Sequence, residues 1–192
     1  MTNSFQIIGG KHRSRKFSFA DAEGLRPTPS KVRETLFNWL QFETHGKTFL
    51  DLFSGSGALS FEALSRGAKQ VVSVEKNTNA LHFLEHNKQL LKADNLTIFQ
   101  QDAFEFLDNK PKAPFDLILL DPPFNKNYLA KALKLISAHN FVTAGGKIYI
   151  ESEFEITMEF LTTHFLTKTN ISKQKKSGVV HYCLLDLIKT CV

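Results

Sequence analysis

The fold class of this chain is decided by the stretch Phe49-Leu50-Asp51-Leu52-Phe53-Ser54-Gly55-Ser56-Gly57. A short apolar run enters a turn rich in glycine and serine, and the next residues, 58–64, have helical spacing. The pattern therefore predicts a strand, a glycine loop and a helix. Glycine lets the backbone turn sharply and lets a ligand approach closely. The N–H groups at the start of the helix favour a polar or anionic ligand group.

Two later apolar runs also end in residues that can bind a ligand. Residues 71–75 form a buried-looking strand that ends in Glu75, 20 positions after Gly55, a spacing at which an acid can reach ribose hydroxyls. Residues 115–120 open directly into Asp121-Pro122-Pro123-Phe124. The three loops follow parallel strands at their carboxyl ends, where open α/β sheets bind ligands. A nucleoside ligand fits this arrangement.

The glycine loop departs from two familiar phosphate-binding motifs. Ser60 stands where a dinucleotide fingerprint has its third glycine or alanine. No Gly-Lys-Ser/Thr follows, so the loop is not a P-loop either. A nucleoside without a pyrophosphate therefore suits the loop better, and a nicotinamide dehydrogenase is a weaker alternative.

Strands and helices alternate through most of the chain, which predicts a parallel, doubly wound sheet with right-handed crossovers. Beyond the stretches above, the pattern predicts helices at 78–92, 103–108 and 127–138 and strands at 96–99 and 147–150. The C-terminal part differs, because two strand-like runs, 161–168 and 179–187, flank a basic link at 173–178. These runs predict an antiparallel hairpin that closes the sheet.

The N-terminal part is basic. Residues 5–17 predict a β-hairpin with a turn at Gly9-Gly10 and a basic second strand. We assign phosphate contacts on nucleic acid to cations of this part, although a solvated edge hairpin is the alternative. A helix follows, with Thr28 as its predicted N-cap and Pro29 at its first position. The candidate nucleic-acid-binding residues are Lys11, Arg13, Arg15, Lys16, Arg26 and Arg33.

Length and charge limit the class of protein. At 192 residues the chain suits one main domain at 48–192 with an extension at 1–47 packed on it. The formal charge of +5 divides into +4 on residues 1–47, −3 on 48–162 and +4 on 163–192. Basic ends on an acidic body suggest a polyanionic partner as readily as a role in solubility.

The sequence also bears on the compartment. No apolar run approaches the ~20 residues of a membrane span, and the N-terminus lacks a signal-peptide pattern. The two cysteines, Cys183 and Cys191, lack metal-site spacing and are typical of a reduced, cytoplasmic protein. We expect a cytoplasmic monomer that has no membrane partner and no metal.

The loops together resemble those of S-adenosylmethionine-dependent amino-methyltransferases. The resemblance is carried by the glycine loop, Glu75, Asp102 and Asp121-Pro122-Pro123-Phe124. It narrows to the bacterial RsmD family, which methylates guanine N2 in 16S ribosomal RNA of the small subunit. The resemblance to this particular family is carried by two N-terminal motifs: Ile8-Gly9-Gly10-x-x-Arg13-x-Arg15, and Arg26-Pro27-Thr28 with Val32-Arg33-Glu34-Thr35-Leu36-Phe37-Asn38-Trp39-Leu40.

The resemblance implies a Rossmann-like class I methyltransferase fold. Such a fold has a mostly parallel, seven-stranded, doubly wound sheet, here with a C-terminal antiparallel hairpin and an N-terminal β-hairpin extension. It also implies S-adenosylmethionine as cofactor, S-adenosylhomocysteine as product, no metal, and small-subunit ribosomal RNA, free or in an assembled ribonucleoprotein, as partner.

The resemblance further implies a role for individual residues. Glu75 would hold the ribose hydroxyls, and Asp102 would accept from the adenine amine. Asp121, Pro122 and Phe124 would hold the target base and are the catalytic candidates. The complete cofactor set is Asp51, Phe53, Gly55, Gly57, Glu75, Lys76, Asp102, Ala103 and Phe104.

Two other functions remain open. A DNA adenine-N6 methyltransferase could use the same proline loop, because the loop suits any exocyclic amine, but no separate target-recognition domain is visible in the sequence. A cofactor-binding RNA-binding module without catalysis is the second alternative, and the intact Asp121 speaks against it.

Overall fold

The computed structural model describes residues 3–19 and 27–188. By contacts, the chain divides into two compact units, residues 1–102 and 103–192. Arg26 and Cys191, both singled out from the sequence, lie outside the described residues. The predicted boundary after residue 47 stays a prediction.

In its described residues, the first unit holds a two-stranded hairpin, three parallel strands of the main sheet, and three helices. Strands β1 and β2 pair antiparallel, and the three sheet strands have the order β5-β4-β3. The elements in chain order are β1 (Asn3–Gln6), β2 (Lys16–Phe19), α1 (Ser30–Trp39), β3 (Thr48–Asp51), α2 (Ala58–Ser65), β4 (Gln70–Glu75), α3 (Thr78–Leu91) and β5 (Leu96–Gln100).

The second unit holds four strands of the sheet in the order β6-β7-β9-β8, so the sheet has seven strands in all. Strands β6 and β7 are parallel, whereas β9 pairs antiparallel with both β7 and β8. The elements are α4 (Ala103–Asp108), β6 (Phe115–Leu120), α5 (Tyr128–Ala138), β7 (Val142–Ser152), α6 (Met158–His164), β8 (Thr169–Ser177) and β9 (Val180–Leu187).

Aromatic packing fixes the N-terminal hairpin on helix α2. Phe5 and Phe17 project from β1 and β2 and are 5% and 2% exposed. The Phe17 ring lies 5.1 Å from the ring of Phe61, which is fully buried in α2. Aromatic pairs at such distances stabilise beyond their buried area. The hairpin is therefore a packed part of the first unit.

The hairpin is confirmed, but its basic residues lie elsewhere than predicted. The connection runs from residue 7 to 15, so Lys11, Arg13 and Arg15 lie in it and only Lys16 lies in β2. The predicted N-cap Thr28 is wrong, because Pro29 occupies that position and no side chain caps the helix. The Thr28 carbonyl instead accepts from Arg33 Nε at 3.1 Å.

The C-terminal hairpin is also confirmed with shifted bounds. The predicted strand 161–168 is wrong: residues 158–164 form α6, because the Thr157 side chain caps the Phe160 N–H at 3.2 Å. The basic link at 173–178 lies mostly in β8. Threonines at 162 and 163 suggested a strand, but the cap and the buried Leu161 favour a helix.

Two further findings bear on the site. In the described parts of the chain, no helix is long and apolar enough to cross a membrane. Within residues 3–19 and 27–188, no group of three or more His, Cys, Asp or Glu side chains is arranged to hold a metal ion.

Candidate functional site

The glycine loop of the first unit joins β3 to α2 and has two glycines at positive φ. Gly55 has φ +50° and Gly57 has φ +77°, values that other residues rarely adopt. A Cβ on Gly57 would also meet Leu84 and would lie 2.7 Å from a Phe61 ring carbon. Gly57 is therefore required by packing as well as by the turn.

Glu75 holds this loop in place through a hydrogen bond. Its Oε2 accepts the Gly55 N–H at 2.7 Å, and its Oε1 accepts the Asn77 N–H at 2.7 Å. Each carboxylate oxygen has a second lone pair, so the half-buried group retains capacity for hydroxyl donors. The structure thus gives Glu75 a role in shaping the loop that the sequence did not reveal.

Asp51 lies at the end of β3 and is 2% exposed. Its Oδ2 accepts the Ser60 hydroxyl at 2.6 Å, and that hydroxyl also lies 2.7 Å from Ser73 Oγ. These contacts bind the strand end to the first turn of α2. Phe53 is half-buried and completes the loop, and for both residues contact with a cofactor stays a prediction.

The last predicted cofactor residues of the first unit pair with each other. Lys76 Nζ lies 3.3 Å from Asp102 Oδ2, with side chains 58% and 33% exposed. An exposed pair of this kind contributes little stability. A ligand amine can compete with the lysine for such a carboxylate.

The basic loop, defined here as residues 7–16, is bound to α2 by main-chain contacts. The Lys11 N–H donates to the Ser65 carbonyl at 2.7 Å, and the His12 N–H donates to Ser65 Oγ at 2.9 Å. That hydroxyl donates in turn to the Gly9 carbonyl at 2.6 Å. The loop therefore has a fixed position on the helix that begins at the glycine loop.

Glu62 is the centre of this attachment and is fully buried. Its two oxygens accept the N–H groups of Ile8 and Gly9, both at 2.9 Å. The same carboxylate accepts from Arg66 Nε at 2.7 Å and pairs with Arg33 NH1 at 3.5 Å. We call Glu62, Arg33 and Arg66 the buried charge cluster. A buried carboxylate is tolerated only with such partners.

Arg33, predicted as an RNA contact, belongs to this cluster. Its side chain is 1% exposed and donates to the carbonyls of Thr28 and Gln6, both at 3.1 Å. Burial lowers the pKa of Arg33, and the Glu62 carboxylate opposes that shift. RNA contact is therefore not proposed for this residue, because its guanidinium faces the protein interior.

The other cations of the basic loop face solvent. Lys11, Arg13, Arg15 and Lys16 are all exposed. Partial burial lowers the pKa of His12, and the positive charges of Arg15 and Lys11 lower it further. The loop is thus a locally positive surface, as a phosphate-binding surface requires.

The Asp121 loop of the second unit follows β6 directly. Pro122 is buried, whereas Asp121 and Phe124 are half-buried. The loop then turns through Asn125 at φ +60°, whose N–H donates to Glu153 Oε1 at 2.9 Å. Two prolines and this hydrogen bond stiffen the loop.

A buried pair lies on the neighbouring strand β7. The Tyr149 hydroxyl donates to Glu151 Oε1 at 2.9 Å, and both side chains are at most 2% exposed. Burial raises the pKa of Tyr149 well above its ordinary value, and the charges of Glu151 and then Asp121 raise it further. The tyrosine therefore stays protonated and donates to the glutamate.

Ala103 and Phe104, the remaining cofactor candidates, are buried at the start of α4. The Phe104 ring packs edge-to-face on Tyr128 at 5.0 Å, and Lys131 Nζ lies 4.1 Å from its centroid. These contacts belong to the second unit. Their part in binding adenine stays a prediction.

Three site residues were missed by sequence reasoning. Glu62 is an acid in an otherwise small and apolar helix, a signal that could have predicted a buried ion pair. Glu151 and Glu153 follow the predicted strand 147–150, whereas β7 extends to Ser152. Their nearness to the proline loop depends on strand register, which the sequence does not display.

Comparisons with known proteins point to one family. The family model described as conserved hypothetical protein 95 matches residues 5–186. Ribosomal RNA small subunit methyltransferase D of Haemophilus influenzae is 39% identical over 93% of this chain and 92% of its own length. The protein of the same name from Escherichia coli K12 is 36% identical over 95% and 90%.

A solved structure agrees with these relatives. A proposed methyltransferase of Escherichia coli superimposes with a TM-score of 0.87 at 34% identity, covering 98% of this chain and 100% of its own. The predicted class I methyltransferase fold is thereby confirmed, and so is the family resemblance.

Proposed function

Because the chain belongs to the conserved hypothetical protein 95 (RsmD) family, we propose that it transfers a methyl group from S-adenosylmethionine to the N2 amine of one guanine in 16S ribosomal RNA. The observation that carries the proposal is the stiff Asp121-Pro122-Pro123-Phe124 loop at the end of β6 on a methyltransferase fold. The names of the relatives support ribosomal RNA of the small subunit as substrate.

The residues present suit the cofactor. Glu75 and Asp102 supply carboxylate oxygens for the ribose hydroxyls and the adenine amine, and both are partly exposed. The positive-φ glycines Gly55 and Gly57 keep the loop beside Glu75 compact. When bound, S-adenosylmethionine supplies a methyl group that its sulfonium already activates, so the protein needs no metal for this chemistry.

The Asp121 loop would position the N2 amine of the target guanine. Guanine N2 is a poor nucleophile, because its lone pair delocalises into the ring. Asp121 and the Pro122 carbonyl each accept one N–H of the amine, which orients it and stabilises the charge that develops as nitrogen gains the methyl group. The methylated nitrogen then carries a positive charge and loses one N–H proton to Asp121 or to water. Asp121 therefore acts first by positioning the amine, and proton loss follows methyl transfer.

Phe124 holds the ring of the base. Stacking on an aromatic side chain is worth ~1–3 kcal/mol per base. A guanine paired within RNA must first be extruded to reach the loop. The exposed cations Lys11, Arg13, Arg15 and Lys16, with Arg26, would hold the RNA phosphates. The protein would act in the cytoplasm as a monomer.

Methyl transfer from labelled cofactor to matched polymers tests the proposal. Unmodified small-subunit RNA, assembled small subunits and double-stranded DNA are incubated separately with the protein. We expect label in ribosomal RNA, free or assembled, and none in DNA. Label in DNA adenine would make the chain an adenine-N6 methyltransferase, and no transfer to any polymer would leave a cofactor-binding module.

A further inference from the structure

A pocket of the second unit adjoins the Asp121 loop. It is lined by Pro122, Pro123, Tyr128, Glu151, Glu153 and Phe154, with other residues of α5 and α6. Leu120, the last residue of β6, pairs with Ile150, and β7 continues to Ser152. Asp121 and Glu151 therefore follow paired residues, and the acidic end of β7 lies beside the proline loop.

The lining of this pocket is unusual for a basic protein. Two glutamates contribute to it, and none of its described lining residues is a lysine or arginine. Carboxylates repel RNA phosphates, so the pocket does not suit the backbone. Phe154 is 39% exposed and packs edge-to-face on Phe160 at 5.2 Å. The pocket itself is small, but its acidic rim beside the proline loop suits a ligand group that carries N–H donors.

Glu153 is the carboxylate that a ligand can reach. Glu151 is 2% exposed and is held by the Tyr149 hydroxyl. Glu153 is exposed, and one of its oxygens is fixed by the Asn125 N–H, which belongs to the same loop as Phe124. A carboxylate has about four lone-pair sites, so Glu153 can keep this contact and accept a second donor.

We propose that Glu153 is a specificity-determining residue that accepts the N1–H of the target guanine. The proposal rests on the proposed function and deepens it. Guanine carries its N1–H beside the N2 amine, so the Asp121 loop and the adjoining end of β7 would present acceptors to both groups. Adenine and 2-aminopurine have a bare acceptor nitrogen at N1, which a carboxylate repels. Glu153 would therefore make the site beside the Asp121 loop select guanine.

The test compares guanine with 2-aminopurine, which keeps the N2 amine but lacks the N1–H. Small-subunit RNA is prepared with either base at the position that the wild-type protein methylates, and kcat/KM is measured for both. The wild-type protein should prefer guanine strongly. Glu153→Gln should reduce that preference by about 10–100-fold, the value of one hydrogen bond to a charged group, because the amide can also donate to N1 of 2-aminopurine.

Glu155→Gln is the matched control, since Glu155 is exposed two residues away and does not line the pocket. It should leave the preference unchanged. If Glu153→Gln lowers kcat/KM equally for both bases, Glu153 only holds the loop and the inference is overturned. If the wild-type protein places the label on an atom other than guanine N2, the proposed function itself fails.

Discussion

The basic loop of the first unit is held in place by buried charges, whereas the Asp121 loop of the second unit is held by prolines and an exposed carboxylate. The basic loop depends on a fully buried carboxylate, Glu62, that binds two main-chain N–H groups and two arginines. The Asp121 loop depends on two prolines and one exposed carboxylate, Glu153. The sequence does not distinguish the buried charged residues that hold one loop from the exposed charged residues of the other.

The difference separates structural charges from functional ones. In the first unit, Arg33 and Glu62 are buried, and their removal should reduce stability first. In the second unit, Asp121 and Glu153 are accessible, and their neutralisation should alter the chemistry while the fold persists. Four predictions test this separation.

The largest effect is expected for Glu62→Ala. The substitution leaves Arg33 and Arg66 without their carboxylate and the Ile8 and Gly9 N–H groups without an acceptor. The free energy of unfolding should fall by about 3–5 kcal/mol, as when one partner of a buried pair is removed. Urea denaturation measures it, with Glu34→Ala on the exposed face of α1 as control. Equal stability of the two variants would contradict the cluster's structural role.

Asp121→Asn should leave stability nearly unchanged and lower the single-turnover methylation rate by ~10²–10³, the scale for one preorganised polar group. The amide keeps the shape of the side chain but loses the charge that stabilises the developing positive nitrogen. Asp108→Asn, on the exposed end of α4, is the control. A rate that falls only in proportion to the unfolded fraction would make Asp121 a structural residue.

Glu75→Ala should weaken S-adenosylmethionine binding by ~1.5–3 kcal/mol, the value of a charged hydrogen bond. The melting temperature should also fall, because Gly55 and Asn77 lose their acceptor. Titration calorimetry on the folded variant separates the two effects, with Glu85→Ala on α3 as control. Unchanged affinity would remove Glu75 from the cofactor site.

The smallest effect per residue is expected in the basic loop. Replacing Lys11, Arg13, Arg15 and Lys16 by Gln one at a time should each reduce the slope of log K against log salt for RNA binding by roughly 0.7–0.9. The cofactor affinity should not change. Lys110→Gln and Lys112→Gln, both exposed in the second unit, are controls. If the slope changes no more in the loop variants than in these controls, the basic loop does not contact RNA phosphates.

The fold was largely predictable, because apolar runs of β-sheet length alternate with stretches of helical spacing, and the Gly55–Gly57 turn follows the end of a strand. The failures occurred where a local contact outweighed propensity. Thr162 and Thr163 favoured a strand, but the Thr157 cap started α6.

The candidate site was less predictable. The acids Glu75, Asp102 and Asp121 stand at strand ends, which periodicity can locate. Burial of a charge is not visible in the sequence, so Arg33 looked like a nucleic-acid contact and Glu62 was overlooked. Strand register likewise decides that Glu151 emerges beside Asp121, and register depends on contacts between distant parts of the chain.

The most direct test of guanine-N2 methylation is nucleoside analysis. Unmodified small ribosomal subunits are incubated with cofactor and either the wild-type protein or Asp121→Ala, and the RNA is digested for mass analysis. We predict N2-methylguanosine with the wild-type protein and almost none with the folded variant. Methylated adenosine, or equal N2-methylguanosine from both proteins, would contradict the account.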